Sequence, residues 1–273
     1  MTRRTVAACV LAVAAIAVSP SGAFAWAPAS TAKVHPGVQT LTEGAQCTAN
    51  FIYSDGTDTY IGQAAHCSGT GAATDTDGCD SVSLPDGTPV EVTGASKPGT
   101  MVYNSWNAMQ RNGETDPDTC AYNDLALVKL DPADVAITNP SVPGFGGPTG
   151  TASLGDTGST VYTYGNSSLR GGVTKLSPKQ GVVVQKDGGG WSTALYTLTP
   201  GIPGDSGSGF LTASGEAAGV LSTVAIAPLA GSNGVGDLPR ELAYMRAHGG
   251  PQASVVNGTQ PFNANLLNAI LGA

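Results

Sequence analysis

Three short strings carry residues that can do chemistry together: Gln63-Ala64-Ala65-His66-Cys67, Asn123-Asp124-Leu125-Ala126-Leu127 and Pro203-Gly204-Asp205-Ser206-Gly207-Ser208-Gly209. They supply a histidine, an aspartate and a serine, in that order along the chain. A serine hydroxyl is a weak nucleophile near neutral pH and needs a base within hydrogen-bond reach. Histidine takes that proton and returns it, because its unperturbed pKa lies near 6.5. A buried carboxylate fixes the imidazole tautomer and stabilises the imidazolium. Gly204 and Gly207 permit a tight turn around the serine that aims successive N–H groups at one point. Each string alone has a plainer reading. A lone histidine is usually a satisfied core side chain, Asp124 suits a turn cap before a strand, and Gly-Asp-Ser-Gly is ordinary loop composition. It is their joint occurrence that favours acyl transfer.

On these residues the sequence resembles the chymotrypsin/trypsin-like serine peptidases, particularly secreted bacterial members, over roughly residues 34 to 225. The resemblance implies an all-β fold of two antiparallel six-stranded β-barrels, trypsin-like, with the active site in the cleft between them and a short C-terminal helix. It implies Ser206 as nucleophile, His66 as general base and acid, Asp124 as orienting carboxylate, and the backbone N–H groups of Gly204 and Ser206 as oxyanion donors. Ser222 falls where the family has a serine whose carbonyl binds the substrate backbone and whose hydroxyl supports the aspartate. Pro200 falls where trypsin-like enzymes carry an aspartate for basic substrates, and the approach from Leu198 to Pro203 holds no charge. Thr223 and Val224 occupy positions where many relatives have an aromatic residue and a glycine. Pro200, Ser222 and Val224 are therefore expected to bind substrate in an uncharged pocket that prefers small or apolar side chains. The family's new N-terminus, Ile-Val-Gly-Gly, has no counterpart before Cys47. The cation that would pair with Asp205 is then internal, with Arg170 or Lys175 as candidates.

The elements that must position these groups read as short β-rich runs between Gly, Pro, Asp and Asn. Phe51 to Tyr53, Val90 to Val92, Leu125 to Leu130, Thr160 to Tyr164, Gly181 to Gln185, Ala194 to Leu198 and Gly219 to Ala227 are strand candidates. Such spacing favours barrels or sandwiches over βαβ units. The stretch Asp131 to Gly158, rich in Pro, Gly, Ser and Thr, is the natural connector. The expected organisation is a leader over 1–25, a first barrel with connector over 26–150, and a second barrel with the C-terminal helix over 151–273. Two helical patterns come late. Asp237 caps one with Leu238, Leu242 and Met245 inward; Asn263 caps another with Leu266, Leu267, Ile270 and Leu271 on one face.

Composition sets the outer limits. The 38 Gly and 18 Pro among 273 residues disfavour long helices, yet 41% hydrophobic residues suffice for a core. A formal charge of −8 with 12 Lys+Arg supplies no basic face, which argues against nucleic acid and against anionic membranes. Arg3 and Arg4, the apolar run Val6 to Val18 and Ala23-Phe24-Ala25 read as a cleaved export signal, too short to span a bilayer. A secreted, extracellular chain follows. Cys9 leaves with the leader, and Cys47, Cys67, Cys79 and Cys120 read as two disulfides with three connectivities open. The resemblance implies Cys47–Cys67, which leaves Cys79 for Cys120. No CxxC pair suggests zinc, and Asp75, Asp77, Asp80 and Asp86, though at positions that suit calcium ligands, lack the Gly at the sixth position and the Glu at the twelfth of a calcium loop, so no metal and no cofactor is expected. The expected partners are a peptide or protein substrate and a proteinaceous inhibitor, and the chain is expected to be a monomer. Two readings compete with a serine endopeptidase: an esterase using the same triad, and a secreted non-catalytic binding module on the same scaffold. A third arrangement, Ser206 with Asp237 and His248, lacks the G-x-S-x-G elbow that its fold needs.

Overall fold

In the computed structural model, which describes residues 25–72, 75–224 and 230–272, fourteen strands are assigned among those residues. All but its last residue, the expected leader lies outside them. The first half holds β1 (Gln39–Thr42), β2 (Ala45–Thr48), β3 (Ile52–Ser54), β4 (Thr59–Ala64), β5 (Pro89–Val92), β6 (Gly99–Asn104) and β7 (Leu125–Lys129). The second holds β8 (Thr160–Tyr164), β9 (Pro178–Asp187), β10 (Ser192–Thr197), β11 (Gly209–Leu211), β12 (Ala217–Val224) and β13 (Asn233–Asp237), and β14 (Ser254–Val255) follows. Strand pairing is antiparallel throughout. The second set closes into a six-stranded barrel, in the order β10-β13-β12-β11-β8-β9. The first set forms a sheet in the order β14-β3-β4-β7-β6-β5-β1-β2 and curls until β2 meets β4. The all-β class with two antiparallel units therefore holds. The first unit is wider than the six strands expected: it has seven from the first half, and β14, from far along the chain, adds an eighth at the edge beside β3.

β7 shows why these runs are apolar throughout rather than alternating. Successive side chains of a strand point to opposite faces. Ala126 and Val128 face Ile52, Ile61, Val90 and Met101 inside the first sheet. Leu125 and Leu127 face the other way, into a cluster with Phe51, Tyr53, Tyr162, Leu211, Val220 and Leu238 that joins the two halves. Both faces are buried, so both are apolar. Val161, Val183, Leu195, Phe210 and Val235 fill the second barrel. Each fully buried side chain of this size contributes roughly 1.5–3 kcal/mol, which makes the joining cluster the main bond between the halves.

Among the described residues four α-helices accompany the strands, two more than the sequence patterns suggest. α1 (Ser105–Asn112) is capped by Asn104, whose side chain accepts the N–H groups of Trp106 and Asn107, and it ends at Gly113 with φ 65°. α2 (Pro117–Tyr122) is capped by Asp116. Both are too short for an apolar stripe to stand out. α3 (Leu238–Ala247) matches its pattern, with Asp237 as cap and Leu238, Leu242 and Met245 buried. α4 (Leu266–Gly272) departs from its own: Asn265, not Asn263, accepts the N–H of Asn268, while Leu267 and Leu271 are exposed and Ala269 is buried. Ala269 lies where the chain passes close to Gly144, a Cβ on which would come 2.9 Å from Ala269 Cβ, and Leu266 packs beside it against the joining cluster. Asp77 and Asp86 serve their own loop, binding the N–H of Cys79 and the side chains of Asn107 and Arg111.

Candidate active site

β4 and β7 are neighbours with Ala64 opposite Leu125, so the residues just beyond those positions meet at one end of the sheet. His66 stands in the single turn Ala65–Ser68 that follows β4, and Asp124 precedes β7. Asp124 Oδ2 lies 2.7 Å from His66 Nδ1, and its Oδ1 accepts the His66 backbone N–H at 2.8 Å. The Ala65 N–H donates to the Asp124 carbonyl at 3.0 Å, which locks the two loops together. From the other half, Ser222 on β12 donates its hydroxyl to Asp124 Oδ2 at 2.5 Å. Burial works against a charged imidazole at His66, but the Asp124 charge and hydrogen bond outweigh it and raise the His66 pKa above its ordinary value. A disulfide joins Cys67, beside the histidine, to Cys47 on β2, and a second joins Cys79 to Cys120.

Ser206 arrives on a loop of the second half. The Asp205 N–H bonds the Ile202 carbonyl at 2.9 Å across Pro203 and Gly204, with Gly204 at φ 94°. Gly207, at φ 85°, is the point of contact with the first half: a Cβ there would lie 2.7 Å from the Thr48 carbonyl oxygen and 2.8 Å from the Ala64 nitrogen. The Ser206 carbonyl accepts the Thr48 N–H at 2.8 Å, and the Gly204 carbonyl accepts from Thr48 Oγ1 and Gln46 Nε2 at 2.7 and 2.9 Å. The N–H groups of Gly204 and Ser206 have no protein acceptor among the described residues. Ser206 and His66 line the same cleft, of about 540 Å³, with Ile202, Leu221 and Thr223 on its second-half wall. Ser206 Oγ makes no hydrogen bond to His66 Nε2 there, and such bonds commonly tighten only once substrate is bound.

Behind the loop, Asp205 is fully buried and its Oδ2 meets both Arg170 and Lys179 at 2.6 Å. Its Oδ1 accepts the Ser167 N–H at 3.0 Å. Burial pushes the Asp205 carboxyl up, but the two cations outweigh it and hold the pKa below the usual range. The same burial pushes the Lys179 ammonium down, with Asp205 opposing. Lys175, one of the two candidates for this cation, instead reaches the Ile270 carbonyl near the surface. Solved structures of similar fold include Thermobifida fusca Protease A, with TM-score 0.52 and 20% identity over 82% of this chain and 99% of that one. A Glu endopeptidase has TM-score 0.50 and 16% identity over 78% of this chain and 89% of that one. The chain has the chymotrypsin-like serine protease fold. No protein-family model matches it, and no curated protein does.

Within the chymotrypsin-like frame the expected substrate residues divide. Ser222 lines the cleft. Pro200 is exposed and does not line it; its carbonyl accepts from Arg170 at 3.1 Å. Val224 ends β12, and its side chain lies outside what the structure describes. The arrangement of Ser206 with Asp237 and His248 is not assembled: Asp237 caps α3 through the Arg240 N–H, and His248 Nδ1 bonds the Tyr244 carbonyl. Lys179, Glu241, Gln46 and Thr48 support the site without having been legible as site residues. Glu241 carried one usable signal, since it lies on the same helical face as Leu238 and Leu242.

Proposed function

We propose that the chain is a secreted serine endopeptidase that cleaves peptide bonds through a Ser206 acyl-enzyme. The observation that carries this reading is the Asp124 carboxylate. It receives the His66 ring N–H, the His66 main chain and the Ser222 hydroxyl at once, in a cleft shared with Ser206. His66 Nε2 takes the Ser206 proton as Oγ attacks the substrate carbonyl carbon. The N–H groups of Gly204 and Ser206 receive the developing oxyanion. Collapse breaks the C–N bond, and His66 hands its proton to the leaving amine. Water, deprotonated by the same imidazole, then releases the acid and restores Ser206. The cleft's second-half wall of Ile202, Leu221 and Thr223 supports an uncharged primary pocket, where a buried substrate ammonium would stay unpaired at strong cost. Export follows from the leader and cleavage after Ala25. It accords with two disulfides and with the absence, among the described residues, of any helix long and apolar enough to cross a membrane.

The test is a serine-directed phosphonate applied to the secreted protein, followed by mass spectrometry and peptide-library profiling. Labelling on Ser206 with cleavage after small or apolar residues is the expected result. Labelling with ester but no peptide turnover turns the reading into an esterase, and no labelling into a binding module.

A further inference from the structure

One buried carboxyl stands behind the Asp124–His66 pair. Glu241, in the first turn of α3, is fully buried, and its Oε1 accepts the backbone N–H of Asp124 at 3.0 Å. The contact spans 117 residues and crosses from the second half to the first. Its other oxygen has no hydrogen-bonding partner among the described residues. Room for it depends on Gly236 of β13, where a Cβ would come 2.5 Å from Glu241 Oε1. The neighbouring peptides are pinned too. Ser105 Oγ donates to the Asn123 carbonyl at 2.8 Å and accepts the Leu125 N–H at 3.1 Å, while the Asp124 carbonyl takes the Ala65 N–H. The Asp124 N–H is thus the point where α3 reaches through the joining core to the strand end that presents the carboxylate.

We propose that Glu241 is a positioning residue that clamps the main chain of Asp124 so that its side chain meets His66 Nδ1 and Ser222 Oγ. This rests on the protease reading of the site. The clamp works in its protonated form. Burial drives the Glu241 pKa well above the carboxylate range, against the lowering effect of the Asp124 N–H bond, and the charges of Asp124 and Asp237 add to the rise. The other titratable groups facing it, Tyr53 on β3 and Tyr103 on β6, are themselves pushed up and stay neutral. Among the described residues no cation contributes to its titration. An ionised Glu241 would set a second negative charge beside Asp124 in a low-dielectric interior. A neutral carboxyl accepts the N–H without that repulsion.

The test uses the full secreted chain as Glu241→Gln and Glu241→Met, with three readouts. The first is kcat and KM on a peptide substrate. Glu241→Met should lower kcat about tenfold or more with KM within about twofold, as for a group acting on the transition state. Glu241→Gln, which also accepts the N–H while neutral, should recover most of that loss. The second is the His66 imidazole titration followed by NMR: its pKa should drop toward the ordinary value in Glu241→Met and stay raised in Glu241→Gln. The third is unfolding against pH. A carboxyl with a raised folded pKa stabilises below its unfolded pKa, and that stability is lost as pH rises toward the folded value. The wild-type unfolding constant should therefore grow about tenfold per pH unit relative to Glu241→Gln within that window. Should Glu241→Met fail to fold, Glu241→Ala, whose cavity admits water, takes its place with the same expectations. Equal kcat and equal His66 titration in all three proteins overturn the proposal, as does a folded Glu241→Gln no better than Glu241→Met. Absence of phosphonate labelling and turnover in the wild type sinks the protease reading instead, while the His66 titration still decides the clamp.

Discussion

The two halves hold their sides of the cleft by different means. In the first half, His66 and Asp124 sit at adjacent strand ends, bonded main chain to main chain and side chain to main chain, with both disulfides nearby. The second half has no cysteine beyond Cys120 and braces the Ser206 loop with Asp205 buried against Arg170 and Lys179. A disulfide acts largely on the unfolded chain and is indifferent to charge. A buried ion cluster depends on its geometry and on every member keeping its charge. Here two cations share one carboxylate oxygen. The histidine side of the cleft is thus covalently braced, while the serine side depends on charges that must all persist.

The largest effects should ignore that difference. Ser206→Ala and His66→Ala should each remove turnover by about four powers of ten or more, and the double variant should be little worse, because triad members act as a unit. Substantial hydrolysis surviving in Ser206→Ala would break the assignment at once. Asp205→Asn should separate the halves. It strands two buried cations and should cost about 3–5 kcal/mol in urea unfolding, with activity falling while the Cys47–Cys67 bond remains intact. The native Asp205 pKa is lowered, so the stability it contributes is present above its unfolded pKa and lost as pH falls through the folded one. An Asp205→Asn protein as stable and active as the wild type would remove the contrast.

Cysteine variants probe the other brace. Removing Cys79–Cys120, which closes 41 residues, should cost about 4 kcal/mol, and removing Cys47–Cys67, which closes 20, about 3 kcal/mol in the chain-entropy account. Neither should change the part of the acid dependence that Asp205→Asn removes. A changed acid limb in either variant would show that the braces are coupled. The smallest effect sharpens the histidine side alone. Because Asp124 raises the His66 pKa, kcat/KM should fall tenfold per pH unit below a midpoint above 6.5. A midpoint at or below the ordinary histidine value would mean that Asp124 is not engaged in solution.

Much of this was written locally in the sequence. The strings around His66, Asp124 and Ser206, the flanking Gly204 and Gly207, the Asp237 cap and the doubly apolar run of β7 each depend on neighbours within a few positions. Helix periodicity already turned Leu238, Leu242 and Met245 inward, and the same arithmetic turned Glu241 with them. What it did not reveal was the partner. Lys179 reads as an ordinary strand lysine until β9 pairs with β8 and β10, and the closed barrel sets its ammonium against an aspartate 26 residues away. α4 likewise reads as a leucine stripe, yet Ala269, close against Gly144, takes the buried face while Leu267 and Leu271 stay exposed. Spacing and residue type determined which groups were chemically capable. Closure of the second barrel, strand register and the apolar seam between the halves decided which of them meet, because a buried charge finds its partner only through contacts that no short window of sequence contains.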